Sequence, residues 1–360
     1  MLIDAVAFLV GWGAGWWLLW RIPVPPSPPP GARPPVSVVV PARDEERTLP
    51  VLLGSLEGEL CPGDEVIVVD DHSADDTAGV ARSAGARTVA ATDLPPGWLG
   101  KAWACHTGAG LAANPLLAFL DADTRLEPGG LDRLVAGYAE GGGLYSVQPW
   151  HRVPRPHERL AALFNVVALM GTGAFTPVGD RRPPAGAFGP CLLTGAEDYR
   201  AVGGHAAVRH TVLDDLALAR RYRVAGLPVR IRGGRGTITF RMYPDGLGQL
   251  VEGFTKNFAA AARAVRPLTV VLVTAWMAAL GAPLALAAGA PALALACYLA
   301  VALQVHAHLR RIGSFGVVTA VAYLVPLACF VIVFARSLVL TFGRRRVRWK
   351  GRDVATGRAA

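Results

Sequence analysis

Three short apolar runs in the sequence are each followed closely by acidic residues. The runs cover residues 36–40, 66–69 and 116–120, and the acids after them are Asp44 with Glu45, Asp70 with Asp71, and Asp121 with Asp123. Two carboxylates in an Asp-x-Asp arrangement after a buried strand lie on the same side of an extended chain. Such oxygen ligands suit Mg²⁺ or Mn²⁺ bound together with substrate phosphates, although a surface turn produces the same pattern by chance.

Other polar residues complement this chemistry. Asp70 and Asp71 could accept hydrogen bonds from a nucleobase or a ribose, and Lys101 offers a flexible positive charge for a phosphate. A solvated loop lysine is the alternative interpretation of Lys101. The sequence has neither a Gly-rich Walker loop nor a G-x-G-x-x-G pattern, so the usual signatures of nucleoside triphosphatases and dinucleotide-binding proteins are absent.

The elements expected to position these residues are strands that alternate with helices. The β-branched and apolar runs are separated by Ala/Leu-rich segments such as 46–60 and 74–84. This alternation predicts an α/β domain over residues 36–244 with a mostly parallel sheet. Ligands of such sheets bind beyond the carboxyl ends of the strands, which is where the acids fall.

The composition favours a membrane protein. Hydrophobic residues make up 52% of the 360-residue chain and charged residues 18%, below the roughly 25% usual in soluble domains. Residues 2–20 are apolar apart from Asp4 and are followed by Arg21, which predicts an uncleaved anchor over residues 1–21 with Arg21 in the cytosol. The Pro-rich residues 22–35 then form a short linker.

Further apolar runs predict two to three membrane helices over residues 267–343. Residues 267–309 have no Asp, Glu, Lys or Arg and hold two spans, with Gly289-Ala290-Pro291 as the turn. Residues 312–335 form another uncharged run, which contains Pro326. If every run is a full crossing, the basic tail lies outside, against the positive-inside tendency. Either the last run re-enters the membrane with a bend at Pro326, or one run is not a crossing.

The net charge of +9 is concentrated in the tail over residues 344–360, where six basic residues lie between positions 344 and 352. Basic residues beside an apolar run are typical of binding to anionic lipid headgroups on the cytoplasmic side. The sequence carries no nucleic-acid-binding motif, so we expect no nucleic-acid partner. The five cysteines show no metal-binding spacing, and we expect them to be reduced.

Apolar residues recur every three or four positions between residues 245 and 266, as on one face of a helix. They are Leu247, Leu250, Val251, Phe254 and Phe258. Lys256, Arg263 and Arg266 add positive charge on or near the other side. This pattern predicts an interfacial amphipathic helix over residues 245–266, and a helix that packs within a domain is the alternative.

Together and in order, the acidic motifs resemble those of family 2 glycosyltransferases, which have the GT-A fold. The resemblance covers about residues 36–260 and extends through the membrane tail; its motifs are Pro41-Ala42-Arg43-Asp44-Glu45, Val68-Val69-Asp70-Asp71-His72-Ser73, Asp121-Ala122-Asp123 and Leu213-Asp214-Asp215-Leu216. Within the family, the chain is most similar to membrane-bound enzymes of the 4,4′-diaponeurosporenoate glycosyltransferase type, which glycosylate a carotenoid acid. Hopanoid-associated and ceramide glucosyltransferases share its Gly-Trp-x-Gly-Lys pattern at residues 97–101.

The resemblance implies roles for individual residues. Asp71 matches the acid that binds uracil, with Ala42 nearby through its backbone, and Asp121 and Asp123 match the acids of the metal motif. Asp215 matches the catalytic base, the second acid of a Glu-Asp pair in which this chain has Asp214 as the first; an acid in the first turn of a helix is the alternative. The other candidates are Asp44, Asp70, Lys101 and Asp121 for the donor, and His151, His205, Asp214, Arg241, Tyr243, Lys256 and Asn257 for the acceptor and diphosphate.

The implied function is transfer of one hexose, glucose, with inversion, from a UDP-sugar to a lipid-soluble acceptor, a carotenoid acid, with Mg²⁺ or Mn²⁺ as cofactor. The Gln-x-x-Arg-Trp motif of processive synthases is absent, which implies transfer of a single sugar. The implied location is the cytoplasmic membrane, with several crossings and the catalytic domain facing the cytosol. A hopanoid, sphingoid or polyprenyl-phosphate acceptor is the alternative, and a non-catalytic membrane scaffold is the alternative from another class.

Overall fold

The computed structural model describes residues 2–262, 264–340, 346–349 and 352–355, and gives only the backbone for residues 2, 256–261, 346–349 and 352–355. The chain forms two compact units. The sheet unit consists of residues 23–150 and 186–241, and the helical unit consists of residues 1–22, 151–185 and 242–360.

Ten strands precede residue 245, and seven of them form the central sheet of the sheet unit. They are β1 (Val36–Ala42), β2 (Glu65–Asp70), β3 (Arg87–Ala90), β4 (Leu116–Leu120), β5 (Thr124–Leu126), β6 (Leu144–Gln148), β7 (Trp150–His151), β8 (Cys191–Gly195), β9 (Val229–Gly233) and β10 (Ile238–Phe240). The strand order of the sheet is β3-β2-β1-β4-β8-β6-β9. β8 is antiparallel to both of its neighbours and every other pair is parallel, which confirms the predicted mostly parallel sheet.

Helices cover both faces of this sheet and make up most of the helical unit. They are α1 (Leu2–Leu18), α2 (Leu49–Glu57), α3 (Thr77–Ser83), α4 (Gly100–Leu111), α5 (Gly130–Ala139), α6 (Ala162–Thr172), α7 (Ala196–Ala201), α8 (Asp214–Val224), α9 (Leu247–Ala262), α10 (Pro267–Leu286), α11 (Pro291–Ile312), α12 (Gly316–Val321) and α13 (Leu324–Val339). Short 3₁₀ helices cover Pro156–Ala161, Gly179–Arg181 and Gly204–Val208.

The strands predicted from sequence lie at the centre of the sheet because both of their faces are buried. Val38 and Val40 of β1 pack on the face covered by α2, α3 and α5, while Val39 packs with Phe119 on the face covered by α4, α7 and α8. A parallel strand with helices on both sides has no solvent face, so it reads as a continuous apolar run rather than an alternating one.

The predicted linker over residues 22–35 is fixed to the sheet unit near its end. Arg33 lies 2.7 Å from Asp64 and 2.6 Å from Asp132, and its guanidinium also donates to the carbonyl of Glu59 at 3.1 Å. The Arg33 side chain is 10% exposed and that of Asp64 is fully buried. This ion pair holds the chain in place where β1 begins.

Within the helical unit, α1 packs closely on α10 because small residues line its contact face. A Cβ on Gly11 would collide with the backbone of α10, and one on Gly15 would collide with the ring of Trp276. The buried side chain of Gln304 accepts a hydrogen bond from Trp276 Nε1 at 2.9 Å and donates to the carbonyl of Trp12 at 2.7 Å. These bonds join α1, α10 and α11 in an apolar interior.

Two helices in the described part of the chain are long and apolar enough to cross a membrane, α10 with 20 residues and α11 with 22. Residues 287–290 connect them, in agreement with the predicted turn. α1 has 17 residues and ends at Leu18, so this helix is shorter than the predicted anchor. At 1.5 Å per residue its length is about 26 Å.

The break in the last apolar run does not lie at Pro326, where the re-entrant alternative places its bend. The break lies at residues 322–323, between α12 and α13, and Pro326 is in the first turn of α13. A proline fits there because the first N–H groups of a helix have no acceptor within the helix. In the basic tail, the backbone forms an antiparallel pair of β11 (Arg346–Trp349) and β12 (Arg352–Ala355), and the rest of residues 341–360 lies outside the described residues.

The predicted amphipathic helix corresponds to α9, and part of its apolar face packs within the helical unit. Leu250 and Phe254 are buried, and the ring of Phe254 stacks on Phe164 with 4.0 Å between centroids. Leu247 is 53% exposed. The side chains of residues 256–261, and residue 263, lie outside the described part of the chain. Contacts at Leu250 and Phe254 therefore match the domain-packing alternative.

Candidate active site

Asp71 lies where β2 ends beside β1. The parallel register pairs Ala42 with Asp70, and the N–H of Asp71 donates to the carbonyl of Ala42 at 2.8 Å. The buried Asp71 carboxylate lies 3.6 Å from Nη1 of Arg43. A Cβ on Gly100, the first residue of α4, would collide with Asp71 Oδ2. The carboxylate therefore fills a space that exists only because residue 100 is glycine.

Asp44 and Asp70, both predicted for the donor site, hold the loops around Asp71. Asp44 has a left-handed backbone with φ of 53°, its N–H donates to Ser73 Oγ at 2.9 Å, and its Oδ1 accepts from the N–H of Ala74 at 2.8 Å. Asp70 Oδ1 accepts hydrogen bonds from the N–H and the hydroxyl of Ser73. A non-glycine residue keeps a positive φ only where its surroundings fix it, and here the two loops fix each other.

Asp121 and Asp123, the predicted metal ligands, lie in a tight turn between β4 and β5. The carbonyl of Asp121 accepts hydrogen bonds from the N–H of Thr124 at 3.0 Å and from Thr124 Oγ1 at 2.7 Å. The N–H of Asp121 donates to the carbonyl of Pro190 at 3.0 Å. These bonds fix the turn, which leaves the Asp123 side chain exposed to solvent.

Lys101 connects the acids of this turn with a second acidic pair. Its Nζ lies 2.6 Å from Asp121 Oδ1. Burial opposes the charge on the lysine, but the attraction of Asp121 and then of Asp214 outweighs it and raises the pKa of Lys101. The side chain remains 41% exposed, so a ligand can reach the ammonium group.

Asp214 and Asp215 begin α8, and the backbone orients the second of them. Asp215 Oδ1 accepts from the N–H of Leu216 at 2.8 Å and Oδ2 accepts from the N–H of Gly189 at 3.0 Å. A Cβ on Gly189 would stand 3.3 Å from Asp215 Oδ2 and 3.5 Å from Lys101 Nζ. Asp215 and Lys101 therefore approach the same point on the backbone. The position of Asp215 in the first helical turn also agrees with the dipole alternative.

Two acids of this cluster bind a proton more tightly than an ordinary aspartate. Burial, followed by the negative charge of Asp214, raises the pKa of Asp215 to about 7 against the opposing effect of Lys101. Desolvation, followed by the charges of Asp121 and Glu45, raises the pKa of Asp123, although water reaches its side chain. A carboxyl pKa near neutrality suits a general base.

The donor set fits a hard divalent cation. Asp121, Asp123 and Glu45 interact electrostatically and supply carboxylate oxygens, the ligands that Mg²⁺ and Mn²⁺ prefer. Among the described residues, no group of three or more His, Cys, Asp or Glu side chains is arranged to hold a metal ion by itself. An ion here would therefore need oxygen ligands from a substrate diphosphate and from water.

His205 and Arg241 are the remaining predicted acceptor-region residues of the sheet unit. His205 is buried, its Nδ1 lies 2.8 Å from the hydroxyl of Tyr199, and its ring packs edge-on against Phe119 with 5.0 Å between centroids. Burial lowers the pKa of His205 to about 4. These contacts make it a neutral residue of the core, and Arg241 lies partly buried just after β10.

His151 belongs to the helical unit and is also buried there. Its carbonyl accepts from the N–H of Ser314 at 2.8 Å, and its ring lies 5.6 Å from that of Phe315. Burial lowers the pKa of His151 to about 3, so the imidazole is neutral. The observed contacts are those of a packing residue.

Tyr243 is held by the segments around it in the helical unit. Its backbone is left-handed with φ of 58°, its carbonyl accepts from His157 Nε2 at 3.1 Å, and its ring packs edge-on against Phe254 with 5.0 Å between centroids. Lys256 and Asn257 lie on α9, and their side chains are outside the described part of the chain.

Three contributors to the site were not assigned a role from sequence. Glu45 acts electrostatically on both acids of the β4–β5 turn, Gly100 makes room for Asp71, and Gly189 donates to Asp215. Glu45 and Gly100 stand inside motifs that the sequence displays. Their roles depend on contacts between residues far apart in the chain, which the motifs alone do not give.

Comparisons with known proteins identify the family and the fold of this chain. A family model described as Glycosyl transferase family 2 matches residues 37–164. The chain is 35% identical over 330 residues to 4,4'-diaponeurosporenoate glycosyltransferase from Staphylococcus aureus (strain USA300), and the match covers 88% of each protein. A solved mannosyltransferase from Pyrobaculum calidifontis, in complex with GDP-Man and Mn²⁺, matches 95% of this chain and 96% of its own with a TM-score of 0.56 and 20% identity. The chain therefore belongs to glycosyltransferase family 2 and has the GT-A fold.

Proposed function

We propose that the protein is a metal-dependent, inverting hexosyltransferase that moves one glucose from UDP-glucose to a carotenoid acid in the membrane. The observation that carries the proposal is the cluster in which Lys101 lies between Asp121 and the acidic pair of Asp214 and Asp215. The exposed Asp123 lies two residues after Asp121 in the same turn. The likeness to the Staphylococcus aureus enzyme over 88% of the chain supports the carotenoid acid as acceptor.

The donor nucleotide binds at the ends of β1 and β2 in this proposal. The Asp71 carboxylate accepts a hydrogen bond from the base, and the backbone of Ala42 lies beside it. The loops held by Asp44 and Asp70 fix the position of both groups. A nucleotide placed there directs its diphosphate toward Lys101, since Gly100 contacts Asp71 and the next residue carries the ammonium group.

Asp121 and Asp123 would hold the divalent cation, with Glu45 nearby. The mannosyltransferase of the same fold was solved with Mn²⁺, which is consistent with metal use here. When bound, the ion supplies positive charge to the diphosphate as it leaves. Lys101 adds a second positive charge from the protein itself, and its accessibility allows it to turn from Asp121 to a phosphate oxygen.

The transfer is a single displacement. An oxygen of the acceptor forms a bond to the anomeric carbon from the face opposite the diphosphate, and the carbon–oxygen bond to the diphosphate breaks with its electron pair. A carboxylic acid acceptor, with a pKa near ~4, is already ionised at neutral pH and needs no base. For a hydroxyl acceptor, Asp215 takes the proton on an oxygen that keeps a free lone pair beside its bond to Gly189 or Leu216.

The helical unit anchors the protein in the cytoplasmic membrane, with the sheet unit on the cytosolic side. α10 and α11 cross the bilayer, and α1 crosses with the help of the exposed Trp17 and Trp20 at its end. Tryptophans favour the headgroup level, and a helix of about 26 Å spans a slightly thinned hydrocarbon core. Arg21 then marks the cytosolic end of the anchor.

The test is transfer by the purified, detergent-solubilised protein with UDP-glucose and Mn²⁺. Two acceptors of similar length, one with a carboxylate and one with a hydroxyl, are offered to the native chain and to Asp215→Asn. Transfer to the carboxylate that largely survives the substitution is the expected result. Transfer to the hydroxyl alone, abolished by Asp215→Asn, would overturn the carotenoid-acid assignment in favour of an alcohol acceptor. Failure of the native chain to bind UDP with Mn²⁺ in calorimetry would overturn the enzymatic proposal as a whole.

A further inference from the structure

Contacts between side chains and backbone define the relative directions of the helices α1, α10 and α11. Trp12 Nε1 donates to the carbonyl of Ala300 at 3.2 Å, Gln304 donates to the carbonyl of Trp12, and Arg311 Nη1 donates to the carbonyl of Leu19 at 2.9 Å. Later residues of α1 thus meet later residues of α11, so these two helices are parallel. α10 is antiparallel to both, because residues 287–290 turn it back into α11.

One end of this three-helix group therefore collects the basic residues. The end of α1, the start of α10 and the end of α11 carry Arg21, Arg266, Arg310 and Arg311, and we call this the basic end. The opposite end has Asp4 and the uncharged turn 287–290. By the positive-inside tendency, the basic end lies at the cytosolic face.

α12 leaves the basic end and reaches deep into the group. α11 ends at Ile312, and the break after α12 lies at residues 322–323. The hydroxyl of Tyr298 donates to the carbonyl of Val321, and the hydroxyl of Tyr323 donates to the carbonyl of Leu280 at 3.1 Å. The break therefore lies beside Tyr298 of α11 and Leu280 of α10. Tyr298 is about 20 Å along α11 from the basic end at 1.5 Å per residue. The break is thus about two thirds of the way across.

The segment around α6 marks the level of the basic end. At its start, the N–H of Val153 donates at 2.9 Å to the hydroxyl of Ser314, two residues beyond α11. At its close, the carbonyl of Phe175 accepts from the N–H of Arg21 at 3.2 Å. Both ends of residues 153–175 are therefore fixed at the basic end, and α6 lies between them.

α13 returns from the break to this same level. The ring of Phe330 packs on Phe164 of α6 with 4.9 Å between centroids. Further along α13, Ser337 Oγ donates to the carbonyl of Thr255 of α9 at 2.7 Å. Phe254 of α9 stacks on the same Phe164. A straight crossing would place Ser337 at the opposite end of the group, far from these partners.

Several polar backbone groups at the break have hydrogen-bond partners, as a membrane interior requires. Besides the two tyrosine hydroxyls, the N–H of Ala322 donates to the carbonyl of Val318 and that of Val325 to the carbonyl of Ala322, each at 2.9 Å. Tyr323 is fully buried in protein. Non-helical backbone at membrane depth is tolerated where protein covers it in this way.

We propose that α12 and α13 form a re-entrant hairpin, inserted from the cytosolic face, so that the described residues cross the membrane three times and α13 ends at the same face as Arg21. The hairpin presents apolar side chains to the acyl chains around it; the most exposed are Val317, Val318, Val321, Val325, Val331, Ile332 and Val339. This arrangement places the basic tail at the face that carries the anionic headgroups, which removes the conflict with the positive-inside tendency. The inference rests on the membrane attachment in the proposed function, but not on its chemistry.

The test is cysteine labelling of the full chain expressed in bacterial cells. Cys61, which is exposed, is changed to serine, and Gly289→Cys or Gly357→Cys is added to that background. Nothing lies within 4 Å of a Cβ at Gly289, so that change is compatible with the fold. Intact cells and permeabilised cells are treated with a membrane-impermeant maleimide, and glucosyl transfer is measured on the same membranes.

The expected result is labelling at position 289 in intact cells and at position 357 only after permeabilisation. Labelling of both positions in intact cells would mean four crossings and would overturn the hairpin. Protection of position 289 in intact cells would overturn the orientation of the three helices. The pattern is read without reference to turnover, so a wrong donor or acceptor assignment leaves it unchanged. A reporter that is active only in the cytosol, fused to the C-terminus of the native chain, provides a second measurement that does not depend on the folding of a cysteine variant. The hairpin predicts that this reporter is active.

Discussion

Replacing Gly100 by alanine puts a methyl group where Asp71 Oδ2 now lies, and this tests the donor site directly. The carboxylate has to turn away, because the colliding Cβ is fixed to the helix backbone. Its hydrogen bond to the base is then lost, which costs about 1.5–3 kcal/mol for a charged acceptor. The dissociation constant of UDP should rise roughly 10- to 150-fold. Calorimetric titration of UDP in the presence of Mn²⁺ measures this change.

Two other glycines of α4 provide matched controls. Gly110 has open space around its Cβ position, so Gly110→Ala should leave UDP binding unchanged. A Cβ on Gly108 would collide with Val39 in the core, so Gly108→Ala should lower the free energy of unfolding by about 1–3 kcal/mol. It should have little effect on the affinity of the folded protein. If Gly100→Ala binds UDP as tightly as Gly110→Ala does, Asp71 is not a donor ligand and the reasoning is refuted.

With a hydroxyl acceptor, kcat/KM should rise with pH through about 7, because the raised pKa of Asp215 keeps this carboxyl protonated below that value. Asp215→Asn should remove this pH dependence and lower the rate by a factor of about 10²–10⁴. A flat pH profile in the native chain would exclude a role of Asp215 as base. Arg33→Ala should lower the free energy of unfolding, measured in urea, by about 3–5 kcal/mol, because it leaves the carboxylate of Asp64 buried without its ion-pair partner. As a control, Arg87→Ala should lower the free energy of unfolding by at most about 1 kcal/mol, because the Arg87 side chain is half-exposed. Burial alone would raise the pKa of Asp64, but the hydrogen bonds from Arg33 and the backbone lower it. The stabilisation from the ion pair is therefore present above the ordinary carboxyl pKa and is lost as the pH falls through the lowered pKa of Asp64. Equal losses in the free energy of unfolding for the two arginine variants at pH 7 would contradict the buried pair. Removal of divalent ions with EDTA should abolish transfer and added Mn²⁺ should restore it; full activity in EDTA would refute metal dependence.

The sequence was sufficient to predict the parallel sheet and the edge where the acids meet. β1, β2 and β4 are buried on both faces, so their composition alone identifies them, and acids that follow parallel strands must share one edge. The individual roles of those acids could not be predicted from the sequence in the same way. Asp70 and Asp71 are adjacent and identical, yet Asp70 holds a loop and Asp71 faces α4, because consecutive side chains at the end of an extended strand point in opposite directions.

The break before α13 shows a second limit of prediction. Pro326 is the conspicuous residue of the last apolar run, but a proline in the first helical turn disturbs nothing. The chain turns instead at Ala322 and Tyr323, where hydroxyls from Tyr298 and Tyr323 bond to backbone carbonyls. Such a turn depends on partners more than twenty residues away, and no local pattern announces it.

The tyrosine contacts at this turn also constrain how the protein can be made. Leu280 and Tyr298 belong to the two helices synthesised immediately before it, so the last apolar run has nothing to bend around until those helices stand together. This run leaves the ribosome after both helices, and an insertion machinery that sees only its apolar residues would accept it as one more span. We therefore expect α10 and α11 to act as an internal template that directs α13 back toward the side from which α12 entered.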